Sequence, residues 1–121
     1  MLLIIDDDKN ILNICKTILE MNDYNVKIFE NFHSALSFYR KNKEKITAIL
    51  LDMYQPDTNY IVTIPALLAV NPEAKIIGMS GSPIPEDLIK ENNNSIKYFL
   101  KKPFVLKDLI DIIAKIITPN I

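Results

Sequence analysis

Two hydrophobic periods alternate along this chain, and that alternation constrains its fold more than any other feature. Leu2–Ile5 is an unbroken apolar run, the pattern of a strand buried on both faces. Directly after it, Ile11, Leu12, Ile14, Cys15, Ile18 and Leu19 recur at three and four residues and mark one face of a helix. The cycle then repeats. Residues 25–29 read as a strand and 32–41 as a helix, and 48–51 form a second wholly apolar run that stops abruptly at Asp52. Residues 75–79 and 96–100 read as the fourth and fifth strands, and a short helix entered through two prolines is predicted over 83–91. After Pro103, the set Leu106, Leu109, Ile110, Ile112, Ile113, Ile116 and Ile117 marks the last helix, closed by Pro119. The third helix is interrupted by Pro65. Proline lacks an amide hydrogen and suits the first helical turn, so regular helix is predicted to begin near Thr63 as N-cap and to end at Asn71-Pro72. Residues 57–62 are then irregular. Five strands, each followed by a helix, imply an α/β domain with a parallel sheet covered on both faces.

Bulk composition narrows the class. A chain of 121 residues fits one domain, here expected over 1–121, and an apolar fraction of 49% supports a substantial core. No apolar run approaches the ~18 residues that cross a bilayer, and Met1–Ile5 lacks the basic lead of a secretory signal. With Cys15 the sole cysteine, no internal disulfide forms, which suits a reducing cytoplasm. Net charge is −1 with both signs dispersed, so no nucleic-acid footprint and no membrane contact are expected.

In parallel sheets of this kind, ligands sit at the carboxyl ends of the strands. Here those ends carry Asp6-Asp7-Asp8, Asp52, Ser80-Gly81 and Lys101-Lys102-Pro103. Carboxylates this close repel one another unless a cation sits among them. Oxygen ligands with water-filled open positions suit Mg2+, which binds at ~2.0–2.1 Å in an octahedron. A metal beside an aspartate nucleophile is a known arrangement for phosphoryl transfer. Lys102 can pair with a phosphoryl oxygen or with Asp52, and Ser80 can donate a hydrogen bond to the same group. Asp8 reads as the cap of the first helix, Asp57 as a loop residue, Lys101 as solvent-facing, and His33 as structural or exposed.

Ile4-Ile5-Asp6-Asp7-Asp8, Leu50-Leu51-Asp52-Met53-Tyr54-Gln55-Pro56, Met79-Ser80-Gly81 and Lys101-Lys102-Pro103-Phe104 resemble the signature blocks of response-regulator receiver domains, in that family's order and over essentially the whole chain. The resemblance implies a CheY-like, flavodoxin-like (βα)5 three-layer sandwich with strand order 2-1-3-4-5. It implies that Asp52 accepts a phosphoryl group from phosphohistidine on a histidine kinase or histidine phosphotransfer protein. Asp7 matches the direct Mg2+ ligand, Asp6 the outer acid, and Tyr54 the position whose backbone carbonyl completes the protein's ligands. Ser80 matches the hydroxyl that turns toward the phosphoryl group, Lys102 the family's lysine, and Phe99 the aromatic switch. Phosphorylation would then be read by a downstream protein at the face of the fourth helix, fifth strand and fifth helix. The implied protein is a phosphorelay switch rather than a turnover enzyme, with only self-catalysed phosphoryl acceptance and loss.

Three positions depart from the family pattern. Asn59 and Tyr60 replace a usual Asp-Gly pair, with Asn59 the better substitute for glycine's backbone freedom, and Ser95 replaces a usual glycine before the fifth strand. The altered loop motivates an alternative: a receiver-like protein-binding module that acts independently of phosphorylation. A metal-dependent phosphatase is disfavoured because Asn10 replaces the Thr or Val of the double-aspartate motif, and a flavodoxin because Asp replaces the Ser/Thr/Gly of a phosphate-cradling loop. No effector segment is expected beyond the last helix, which leaves a stand-alone receiver or one cut from a longer kinase or regulator.

Overall fold

The computed structural model describes residues 1–86 and 96–117. Five strands, β1 (Leu2–Ile5), β2 (Val26–Phe29), β3 (Ala48–Asp52), β4 (Ile76–Ser80) and β5 (Ile96–Lys101), form one parallel sheet in the order β2-β1-β3-β4-β5. The helices are α1 (Lys9–Met21), α2 (Phe32–Asn42), α3 (Tyr60–Val70) and α4 (Leu106–Ile117). The helix predicted over 83–91 and the Ser95 and Pro119 assignments fall largely or wholly outside the described residues. No described helix is long and apolar enough to cross a membrane.

Strand alternation sorts the core into two layers. Leu2, Ile4, Ala48, Leu50, Ile77, Met79 and Leu100 pack against α1 and α4, through Leu12, Cys15, Leu19, Leu109 and Ile113. Leu3, Ile5, Ile49, Leu51 and Ile76 face the other way, against Ala35 and Tyr39 of α2 and Ile64 and Leu67 of α3. Both faces of β1 and β3 are therefore sealed, which is why their sequences are apolar without alternation. Removing each such Leu or Ile side chain would cost about 2–5 kcal/mol.

The third helix corrects the sequence reading. It starts at Tyr60, not after Thr63, and Pro65 lies inside it. The cap is Asn59, whose side chain accepts from the Ile61 amide at 2.9 Å. A capping side chain before Tyr60 outweighs the proline, whose missing amide leaves one carbonyl bond unmade. Thr63 is instead fully buried on the inner face, and its hydroxyl has no partner among the described residues. The outer face of α3 exposes Ile61 and Val62.

Candidate functional site

The sheet order reverses direction at β1, with β2 on one side and β3 on the other. This is the switch point where open α/β sheets bind ligands. Register does the placing: Ile5 lies opposite Leu51, so Asp6 and Asp52 leave their strands at the same level. Asp6, Asp7 and Asp52 converge, each offering an oxygen within 4.8 Å of the others. Asp6 and Asp52 are buried and Asp7 is exposed.

The buried acids are compensated unequally. Asp6 accepts from Lys102 Nζ at 2.6 Å and from the Asp8 amide at 2.9 Å. Lys102 reaches this point because β5 runs beside β4, where the Lys102 amide donates to the Ser80 carbonyl at 2.8 Å. The same ammonium stands 3.8 Å from Asp52 Oδ1, an ion pair without hydrogen-bond contact. Asp52 Oδ1 accepts from the Tyr54 amide at 3.2 Å. Burial above all, then a side-chain hydrogen bond with Asp7 and the Asp6 charge, push the Asp52 carboxyl up to about 7; Lys102 and the Tyr54 amide pull the other way without prevailing. Asp8 caps α1, accepting from the Asn10 amide at 2.9 Å, as its position predicted.

This arrangement is chemically suited to a divalent cation. Three carboxylates supply hard oxygen donors, Asp7 is open to solvent, and Asp52 is only partly compensated by Lys102 and the Tyr54 amide. The antiparallel bridge between Tyr54 and Asn59 is closed by Tyr60 N to Met53 O at 2.8 Å and Gln55 N to Thr58 O at 2.9 Å, bonds that flank Tyr54 and leave its carbonyl out of the bridge.

Other predicted residues stand apart from the acids. The Ser80 hydroxyl is turned into its own loop: it donates to the Ser82 carbonyl at 2.8 Å and accepts from the Ser82 amide at 3.0 Å. Phe99 is half-buried and packs with the layer that includes α2 and α3. Lys101, Asp57 and His33 are exposed and Cys15 is core, all as expected. The altered loop makes no use of glycine's backbone freedom. Asn59 has φ −142°, an extended conformation, and Tyr60 opens α3, so neither position adopts a glycine-like backbone. Tyr60 instead sets its ring edge-on against Tyr54, at 5.7 Å and 83°. One bracing residue escaped the sequence reading: Gln55 Nε2 donates to the Asp52 carbonyl at 3.0 Å. Only its place three residues after Asp52 could have signalled it.

A doubly wound domain with a carboxylate cluster at its switch point belongs to the class of α/β proteins that bind ligands at strand ends. The family follows from comparison. The profile of the response regulator receiver domain matches residues 2–114, and the chain belongs to that family. Receiver domains are the signalling switches of two-component systems. The chain is 26% identical over 110 residues, 91% of its length and 20% of the relative's, to the two-component response regulator ARR10 of Arabidopsis thaliana. It is 24% identical to the DNA-binding transcriptional regulator NtrC of Azospirillum brasilense, over 98% of this chain and 24% of the relative. It thus spans about a fifth to a quarter of the curated relatives' length. Among solved structures, a CheY-like receiver domain protein from Methanospirillum hungatei superposes with TM-score 0.82 at 28% identity, covering 94% of this chain and 90% of that one. CheY in a CheX–CheY–BeF3–Mg complex from Borrelia burgdorferi superposes with TM-score 0.85 at 19% identity, over 98% and 89%.

Proposed function

We propose that the chain is a phosphorylation-controlled receiver, folded as a unit over 1–121, in which Asp52 takes a phosphoryl group from phosphohistidine on a histidine kinase or histidine phosphotransfer protein. The observation that carries this is the unequal compensation of the two buried acids. Asp6 has its ion pair and amide bond, whereas Asp52 is left short of positive charge at the mouth of the sheet. A carboxylate poised in this way becomes the nucleophile once a cation offsets its charge.

Asp7 and Asp52, with the Tyr54 carbonyl, would hold Mg2+ directly, and Asp6 would act as the outer acid. When bound, Mg2+ offsets charge on Asp52 and on the incoming phosphoryl oxygens. An Asp52 oxygen attacks phosphorus in line, the phosphorus–nitrogen bond breaks, and the electron pair leaves with the imidazole. Lys102 holds Asp6 and, by a small rotation, pairs with a phosphoryl oxygen. Gln55 and the Tyr54 amide keep Asp52 fixed during the attack. Hydrolysis of the acyl phosphate by water resets the domain. The reaction is self-catalysed and stoichiometric.

The readout requires Ser80 to exchange its two bonds with Ser82 for one to the phosphoryl group. Phe99 would respond, altering the surface of the fifth strand, the last helix and the segment before that strand, where a downstream protein docks. The domain would work in the cytoplasm without direct contact with nucleic acid or membrane. Incubation with acetyl phosphate and Mg2+, followed by intact mass, should show one phosphoryl group on the wild type and none on Asp52→Asn. Equal modification of both proteins, or none of either, would end this reading; partner binding indifferent to Asp52→Ala would favour a phosphorylation-independent module.

A further inference from the structure

β4 has a glycine, Gly78, among Ile76, Ile77 and Met79. A β-carbon there would stand 2.7 Å from Met53 Sδ, 3.2 Å from Met53 Cγ and 3.1 Å from Phe99 Cδ1. The missing side chain therefore makes a notch, filled from one side by the residue that follows Asp52 and from the other by the ring paired with Gly78 across β4 and β5.

The two occupants differ in freedom. Met53 is fully buried, and its backbone is held at both ends, by the Met79 carbonyl at 2.9 Å and the Tyr60 amide at 2.8 Å. Phe99 is half-buried, and it borders a groove of about 520 Å³ shared with Phe104, Asp108 and Ile112. Toward Gly78 the ring meets the thioether that shares the notch. Gly78 also lies two residues before Ser80 on the same strand face, beside the hydroxyl that must move.

We propose that Met53, seated in the Gly78 notch, is the stop that sets how deeply Phe99 can lie, and that glycine at 78 leaves the ring room to move inward. Met53 and Gly78 are positioning residues that act through Phe99. The inference rests on the reading of Asp52, Ser80 and Phe99 as a phosphorylation switch, and it adds a packed link from the backbone beside Asp52 to the ring.

The test follows the Phe99 ring by aromatic NMR while the wild type, Gly78→Ala, Met53→Ala and the double variant are titrated with beryllofluoride and Mg2+. In Gly78→Ala the added carbon displaces the freer occupant. The ring shifts away from Gly78, its response to beryllofluoride is lost, and beryllofluoride affinity falls about fivefold or more although Asp52 still takes up the ligand. Met53→Ala alone lets the ring sink before ligand is added and raises the affinity. Adding Met53→Ala to Gly78→Ala restores both the ring position and the affinity, which a merely destabilised protein would not do. The proposal is overturned if either single variant leaves the ring and the affinity unchanged, or if the double variant fails to recover. Should Gly78→Ala not fold, Met53→Ala alone decides. Wild type that takes up no beryllofluoride would sink the receiver reading instead, while the ring's resting position in Met53→Ala would still judge the notch.

Discussion

The ends of β1 and β3 carry the same chemistry and treat it in opposite ways. At β1, every buried or capping acid is matched from within the protein. Asp6 has Lys102 and the Asp8 amide, and Asp8 caps α1. At β3, Asp52 has one amide bond and a lysine held mainly by another acid. Buried charge is tolerated only when paired, so β1 is structurally finished, whereas at β3 the Asp52 carboxyl is left to hold its proton up to about pH 7.

Removing the shared cation breaks the contrast most severely. Lys102→Met strands the fully buried Asp6, and urea unfolding should show a loss of about 3–5 kcal/mol. A loss under about 1 kcal/mol would mean that Asp6 is not held as described. Next is pH. The Asp52 carboxyl titrates near 7 in the folded protein and near 4 when unfolded, so between these values the folded state keeps a proton that the unfolded chain has released. Its stabilising contribution is complete below about pH 4 and is lost as pH rises through 7, with a slope of up to about 1.4 kcal/mol per pH unit in metal-free protein. Asp52→Asn should flatten that slope, and Mg2+ should offset it above neutral pH. An unchanged slope in the variant would place the titration elsewhere.

The helix caps sharpen the same comparison on a smaller scale. Asp8→Ala and Asn59→Ala should each cost about 1 kcal/mol by thermal or urea unfolding. The Asn59 variant should also disturb the Tyr54–Asn59 bridge and weaken Mg2+ binding, whereas a purely local cap would leave binding alone. Smallest in stability is Asp7→Asn. Asp7 is exposed, so metal-free stability should shift by within about 0.5 kcal/mol, while the protection conferred by Mg2+ disappears in calorimetry. Retained protection would remove Asp7 from the set of metal ligands.

The candidate site was legible because parallel strands buried on both faces stay apolar until they reach the mouth of the sheet. The first polar residue after Ile5, Leu51 and Met79 therefore marks the mouth of the sheet. Helix faces were legible for a similar reason, as Leu12, Cys15 and Leu19 show, although Ile14, read on the same face, is 52% exposed. The start of α3 was misread because Pro65 signals a first turn locally, whereas Asn59, tied by its bridge to Tyr54, decides where the helix begins. Nor could sequence show that the Ser80 hydroxyl is engaged with Ser82, a choice between neighbours that depends on the shape of the loop.

The chain's pattern alone determined a βα alternation, a parallel sheet and the acids, hydroxyl and lysine at its carboxyl edge. These follow from local periodicity and from burial, properties each segment carries by itself. Only the tertiary structure decided that Lys102 closes on Asp6 and stands off from Asp52, that Asp52 holds its proton to about pH 7, and that Met53 and Phe99 share the space over Gly78. Those outcomes are set by distances of a few ångströms between strands far apart in sequence, where electrostatics and packing choose among partners that the sequence merely makes available.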